Sequence, residues 1–90
     1  MEEEVHRLLE SSAELKVKGQ TTEALAKAKD AASKEKKIRQ IRESTGSLDQ
    51  VNIDLTFYVF YNLANMYHAN ALFQEALNSY TIILKNKLYP

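Results

Sequence analysis

The 90-residue sequence has no cysteine, no tryptophan, one proline and two glycines. Without cysteine there is no disulfide and no thiol chemistry, a composition that suits a reducing cytosolic compartment. Gly19 and Gly46 stand alone, so no glycine-rich loop is present to cradle a phosphate. An excess of charge of one sign is missing too. Twelve Lys and Arg balance twelve Asp and Glu, leaving no overall field to draw the chain to nucleic acid or to an anionic membrane. No apolar run approaches the roughly 18 residues that cross a bilayer. Glu2, Glu3 and Glu4 are the reverse of the basic start of a signal peptide. These absences lead to the expectation of a soluble, cytoplasmic protein with no nucleic-acid partner and no membrane insertion.

What is present is unevenly placed. The three Phe and five Tyr all follow position 56, while most of the charge precedes position 44. In the aromatic back half, Phe60, Leu63, Ala64 and Tyr67 recur at spacings that put them on one helical face. After Ala69-Asn70-Ala71, the residues Phe73, Ala76, Leu77, Tyr80, Ile83 and Leu84 repeat that spacing. Two amphipathic helices with so short a link fold back antiparallel, each burying its stripe on the other. Small Ala64 and Ala76 allow the backbones to approach closely. Asp54 is the expected cap of the first of these helices, which should run to about Ala69.

The front half reads as a paler hairpin. Val5, Leu8, Leu9, Ser12 and Leu15 share a face, and Glu2 to Glu4 favour the positive end of the helix dipole. Gly19 suits the left-handed residue that closes a helix. Thr21 or Thr22 is the expected cap of the next helix. Ala24, Leu25, Ala28, Ala31 and Ala32 make its narrow stripe, continued through Ile38 and Ile41 to a stop at Thr45-Gly46. Lys27, Lys29, Asp30, Lys34, Glu35, Lys36 and Lys37 are expected on its other sides. Ser47 and Gln50 have the spacing of a capping box, and a plain polar loop is the alternative.

The back hairpin resembles a tetratricopeptide repeat, whose 34-residue unit runs W-x2-L-G-x2-Y, then A-x3-F, then P. Phe60 stands for the Trp, Leu63-Ala64 for Leu-Gly, Tyr67 for the Tyr, Ala76 for the Ala and Tyr80 for the Phe. Ala71 replaces the usual turn glycine, and Pro90 lies two residues late. Setting Ala24 over Ala76 places Leu8 over Phe60, Leu15 over Tyr67, Gly19 over Ala71 and Ala28 over Tyr80, an offset of 52 residues. The surplus of about 18 over one repeat unit falls in a lengthened helix and a connection. The expected fold class is all-α, four helices in antiparallel hairpins of tetratricopeptide type, one helix elongated. The expected divisions are 1–46, a degenerate hairpin; 47–54, a connecting insertion; and 55–90, the repeat.

No catalytic, cofactor or metal site is expected. His6 and His68 have no metal-ligand spacing, no Ser stands in a nucleophile elbow, and the carboxylates alternate with Lys and Arg as on solvated helix faces. The basic run Lys34, Lys36, Lys37, Arg39 and Arg42 reads first as such a face, with an acidic partner as the alternative. The candidate binding stripe is Tyr58, Tyr61, Asn65 and His68, a face of the third helix distinct from its core face. Aromatic rings with hydroxyls and an amide suit the grip of an extended peptide or a partner helix. The other reading is that these residues pack within the molecule or against a neighbouring repeat. The resemblance implies the first: in tetratricopeptide repeats these positions line the concave groove.

A narrower resemblance rests on ALAKAKDAASKEKKIRQIRE, a glycine-containing loop, VNIDLTFYVFYNLANMY and EALNSYTIILKNKLYP. This order of features is similar to the polaris family of intraflagellar-transport complex B subunits. Asn52 to Thr56 matches that family's entry into a repeat, and Lys85-Asn86-Lys87 its exit. The resemblance implies a non-catalytic scaffold of cytoplasm, cilium and basal body. Its partners would be other transport-complex subunits or neighbouring repeats of a longer chain. A peptide-capturing co-chaperone-like adaptor and a regulatory domain of a larger enzyme are the alternatives; Tyr61 and Asn65 supply no basic clamp for the former. Leu77, Ile82, Leu84 and Leu88 extend the last helix's apolar surface beyond the reach of one partner helix, as expected of a segment that docks in a longer array.

Overall fold

The computed structural model describes residues 2–46 and 53–87. They form four helices: α1 Glu2–Val17, α2 Thr21–Ser44, α3 Ile53–Ala69 and α4 Phe73–Lys85. The all-α fold class, with one elongated helix, is the one expected, and α3 ends at Ala69 as the spacing predicts. The proposed capping box at Ser47 and Gln50, and Leu88, lie outside the described residues.

Each helix stops where the backbone turns left-handed: Gly19 (φ 81°), Gly46 (φ 76°), Ala71 (φ 60°) and Lys87 (φ 51°). The turns after α1 and α3 have the same construction. Gln20 N–H donates to Leu15 O (2.8 Å) and Gly19 N–H to Lys16 O (3.0 Å); Leu72 N–H donates to Tyr67 O (2.9 Å) and Ala71 N–H to His68 O (3.0 Å). Both are Schellman motifs, which satisfy the last carbonyls of the helix. The residues that follow match as well, with Gln20 at φ −90°, ψ 65° and Leu72 at φ −92°, ψ 67°. Gln20 O and Leu72 O then accept from Ala24 and Ala76. The two hairpins therefore repeat in the register that sets Ala24 over Ala76.

This turn corrects the expected caps. The N-cap of α2 is Gln20 with no side-chain bond, and Thr21 is already helical. The Schellman turn delivers the chain directly into the next helix, so no threonine occupies the half-helical position. In α3, Asp54 lies in the first turn and not at the cap, since the helix begins at Ile53.

Helix α1 packs on α2, α2 on α3 and α3 on α4, with a smaller contact between α1 and α3; among the described residues α4 meets only α3. The close approach at the centre depends on small side chains. Ala24, Ala28 and Ala31 of α2 have no exposed surface, and α1 and α3 close over them. One core cluster joins Val5, Ala31, Ile38, Leu55 and Val59, with Leu8 and Leu9 against it. The other joins Ala24, Leu25, Ala28, Leu63 and Met66, with Leu15 and Tyr67 against it. Truncating one such buried Leu to Ala costs about 2–5 kcal/mol, so the two clusters carry the junction between hairpins.

The stripe expected on α4 is only partly buried. Ala76, Ser79 and Ile83 are inside, whereas Phe73 and Leu77 are 58% exposed and Leu84 is 68% exposed. One neighbouring helix covers only a narrow face of α4, and these three flank it. The surplus apolar surface expected at Leu77, Ile82 and Leu84 is present.

Candidate functional site

Three of the four candidate residues, Tyr61, Asn65 and His68, meet α4 across its seam with α3, and Tyr58 adjoins them through Phe57. Tyr58 and Tyr61 are about half exposed, His68 is exposed and Asn65 is half-buried. Phe57 joins the two tyrosines, stacking on Tyr61 with centroids 5.5 Å apart and meeting Tyr58 edge-on at 5.5 Å. Tyr61 then meets Tyr80 of α4 edge-on at 6.2 Å, and Tyr80 Oη–H donates to Asn65 Oδ1 (2.7 Å). Tyr58, Tyr61 and Asn65 are thus linked in one aromatic surface. His68 stands apart, edge-on to Phe73 at 5.2 Å.

Phe57, Tyr58, Tyr61, Asn65 and Tyr80 bring no Lys, Arg, Asp or Glu to this surface, and the exposed Asp54 stands one turn before Tyr58 on the same face of α3. With the Asn65 oxygen occupied by Tyr80, its amide nitrogen has no partner among the described residues and points the polarity of the site toward donation. Exposed Tyr rings offer a large contact area at low cost in side-chain entropy, and their hydroxyls orient what binds. The arrangement can grip a neutral or apolar segment through stacking and a few hydrogen bonds. It contains no acid–base pair and no nucleophile beside a base.

Elsewhere the chemistry is structural. Among the described residues no three His, Cys, Asp or Glu side chains gather as a metal site. Ser44 Oγ–H, in a surface depression with Lys37, Gln40 and Ile41, donates to Ile41 O and is not poised as a nucleophile. On the front hairpin Glu4 pairs with Lys34 (2.9 Å) and Glu2 with Arg42 (2.7 Å), bridging α1 to α2. The hydrogen bond and charge of Lys34 hold the Glu4 carboxyl below its usual range, and Glu4 in turn raises the Lys34 ammonium. The basic run is accordingly part internal pairing and part solvated face.

The sequence reading missed the residues that join the hairpins. Glu35, expected on a solvated side of α2, is 3% exposed. Its carboxylate accepts from Thr56 Oγ1–H of α3 (2.7 Å) and from Arg39 Nε–H (2.9 and 3.1 Å). The signal was available: Glu35 stands four residues after Ala31 and three before Ile38, on the alanine stripe itself. Ser12, correctly placed on the buried face of α1, donates to Ala24 O (2.7 Å) and accepts from Asn62 Nδ2 of α3 (3.3 Å). Asn70 Nδ2 donates to Thr21 O of α2 (2.8 Å) as well as to Met66 O. Lys29 Nζ also lies 5.7 Å from the centre of the Tyr67 ring. No buried side-chain polar atom among the described residues lacks a partner, so these ties cost no unsatisfied group.

Fold and seam together define the class: an all-helical module of two hairpins built in one register, consistent with a tetratricopeptide-like fold, with an aromatic face along α3 and α4. The particular resemblance is to the human (Homo sapiens) intraflagellar transport protein 88 homolog, with 42% identity over 89 residues, 99% of this chain. That similarity bears out the resemblance read from the residues. The chain spans about 11% of the length of this relative. No protein-family model matches the chain, and no solved structure matches it. No helix among the described residues is long and apolar enough to cross a membrane.

Proposed function

We propose that this chain is a non-catalytic interaction segment of an intraflagellar-transport subunit, a scaffold acting in cilium assembly within the cytoplasm, cilium and basal body. The observation that carries this reading is the 42% identity, sustained across nearly the whole chain, to a protein named for intraflagellar transport. The physical character of the site agrees with it. An aromatic seam backed by two packed hairpins suits protein contact, where aromatic side chains provide much of the binding energy. Tyr58, Tyr61, Asn65 and His68 line the binding face, and the partners are other transport-complex subunits. Neighbouring repeats of a longer chain supply the remaining contacts.

Affinity capture from ciliated cells tests this, comparing the native chain with the triple variant Tyr58→Ala, Tyr61→Ala, Asn65→Ala after both show equal helicity by circular dichroism. The expected result is recovery of transport-complex subunits by the native chain and their loss with the variant. Equal recovery by both would move binding to another face. Recovery of chaperones alone would favour a peptide-binding adaptor.

A further inference from the structure

The far end of α2 lies beyond the core. Ile38 is the last buried residue of that helix, and positions 39–44 carry only half-buried or exposed side chains. This end is closed by its own hydroxyls. Ser44 Oγ–H donates to Ile41 O (3.0 Å), and Thr45 Oγ1–H is shared between Ile41 O (3.0 Å) and Arg42 O (3.2 Å). Thr45, the C-cap, and Gly46 after it are exposed. Arg42 stands three residues before Thr45, and its guanidinium Nη1 is paired with Glu2 of α1 at 2.7 Å.

We infer that Thr45 is a phosphorylation site for a protein kinase whose acidic groove takes Arg42, and that the Glu2–Arg42 ion pair restrains the site. The acceptor hydroxyl is accessible, and an arginine at fixed spacing offers a guanidinium fork that groove carboxylates can bind bidentately. The segment between them can also leave the helix. A kinase holds its substrate extended, and opening residues 42–45 breaks exposed hydrogen bonds without uncovering a buried side chain, as is usual where helices fray. Thr45 Oγ1 attacks the γ-phosphorus of a nucleoside triphosphate held by the kinase. The bond from that phosphorus to the bridging oxygen breaks, the nucleoside diphosphate leaves, and the hydroxyl proton passes to a carboxylate of the kinase.

The product disturbs the place where it forms. A phosphate adds about −1.5 to −2 charges at the negative end of the α2 dipole, two residues after Glu43. It arrives at the end of α2 to which the Glu2–Arg42 pair brings the acidic first turn of α1. It removes the proton that Thr45 shares between two carbonyls, and it draws Arg42 away from Glu2. Phosphorylation therefore loosens the end of α2 and the start of α1, and leaves the two core clusters in place. This site goes beyond the scaffold reading and does not rest on it.

The test uses the full 90-residue chain, a purified kinase that selects arginine three residues before its acceptor, and magnesium ATP labelled at the γ-phosphate. Label should enter the chain and map to Thr45 by mass spectrometry. Thr45→Val should abolish it and Ser44→Ala should not, both variants keeping native helicity by circular dichroism. Arg42→Gln should slow labelling by about tenfold or more. Glu2→Gln, which relieves one hold on Arg42, should speed it by about two- to fivefold. The phosphorylated chain should melt at a lower temperature, by a margin that shrinks at high salt, with faster amide exchange at the end of α2 and the start of α1. No labelling, label on Ser44 or Ser47 alone, or unchanged labelling of Arg42→Gln would overturn the site. Slower labelling of Glu2→Gln than of the native chain would overturn the restraint, and a raised melting temperature would overturn the loosening. Kinase and chain are both purified, so affinity capture from cells succeeds or fails independently of this result.

Discussion

A single carboxylate illustrates how much one residue decides. Glu35 is an acidic residue buried on the stripe of α2 between Ala31 and Ile38 and held by a hydroxyl from the opposite hairpin. A buried carboxylate deprived of a donor costs more than an ordinary hydrogen bond returns, about 1–3 kcal/mol for the unsatisfied group. Thr56→Val keeps the shape of the side chain and removes the Oγ1–H that reaches Glu35. Urea unfolding should show a loss of about 1–3 kcal/mol, while Thr56→Ser, which keeps the hydroxyl, should lose less. No loss with Thr56→Val alongside a loss with Thr56→Ser would mean that the methyl group matters and the tie does not. Single residues were the least legible level of the sequence. Periodicity finds a face but not its neighbour, so it placed Ser12 on the buried side of α1 without disclosing Asn62 opposite it. Glu35 was read by its charge, when its spacing from Ala31 and Ile38 was the better guide.

Helix limits were legible where a residue's own backbone preference sets them. Gly19 and Gly46 close α1 and α2 because both adopt positive φ at no steric cost. The third turn was placed correctly by the break in spacing at Ala69-Asn70-Ala71 and by the match of Ala71 to the repeat's turn glycine, although Ala71 must take the left-handed conformation that alanine resists by roughly 1–2 kcal/mol. Ala71→Gly should therefore raise stability by about 0.5–1 kcal/mol after the added freedom of the unfolded chain is offset. Gly19→Ala should lower stability, and purely through backbone strain, since a Cβ at Gly19 would meet nothing within 4 Å. Thermal melts of both variants check the pair; a stabilised Gly19→Ala would contradict the shared turn geometry. The helix starts were misread because both hairpins enter their second helix straight from the turn, a three-dimensional economy that a search for Ser, Thr or Asp does not detect. The outer stripe of α4 was read both as buried and, at Leu77 and Leu84, as surplus apolar surface, and the second reading holds. Its spacing marks Phe73, Leu77 and Leu84 as apolar, but burial depends on how many helices arrive.

For the molecule as a whole, charge is concentrated on one hairpin and apolar exposure on the other. The ion pairs on α1 and α2 make the front hairpin the pH-sensitive part. Glu4 has its carboxyl lowered on folding by Lys34, so its contribution is present above the ordinary carboxylate pKa and disappears as the pH falls through the lowered value. Lys34 is raised, so its contribution is present below the ordinary lysine pKa and lost as the pH rises through the raised one. Melting temperatures across pH should thus differ between native chain and Glu4→Gln near neutrality and converge in acid, with the gap shrinking at high salt because the pair is solvated. A gap that widened in acid would give the wrong sign and sink the assignment. The back hairpin has a different weakness: among the described residues α4 leans on α3 alone, whereas α2 is held from two sides. Helices with few partners open first and most cheaply, so amide hydrogens of α4 should exchange with solvent well before those of α2. A helix arriving beside Leu77 and Leu84 would give α4 its second wall and slow that exchange, and the breathing of α4 would then record whether the molecule has a neighbour.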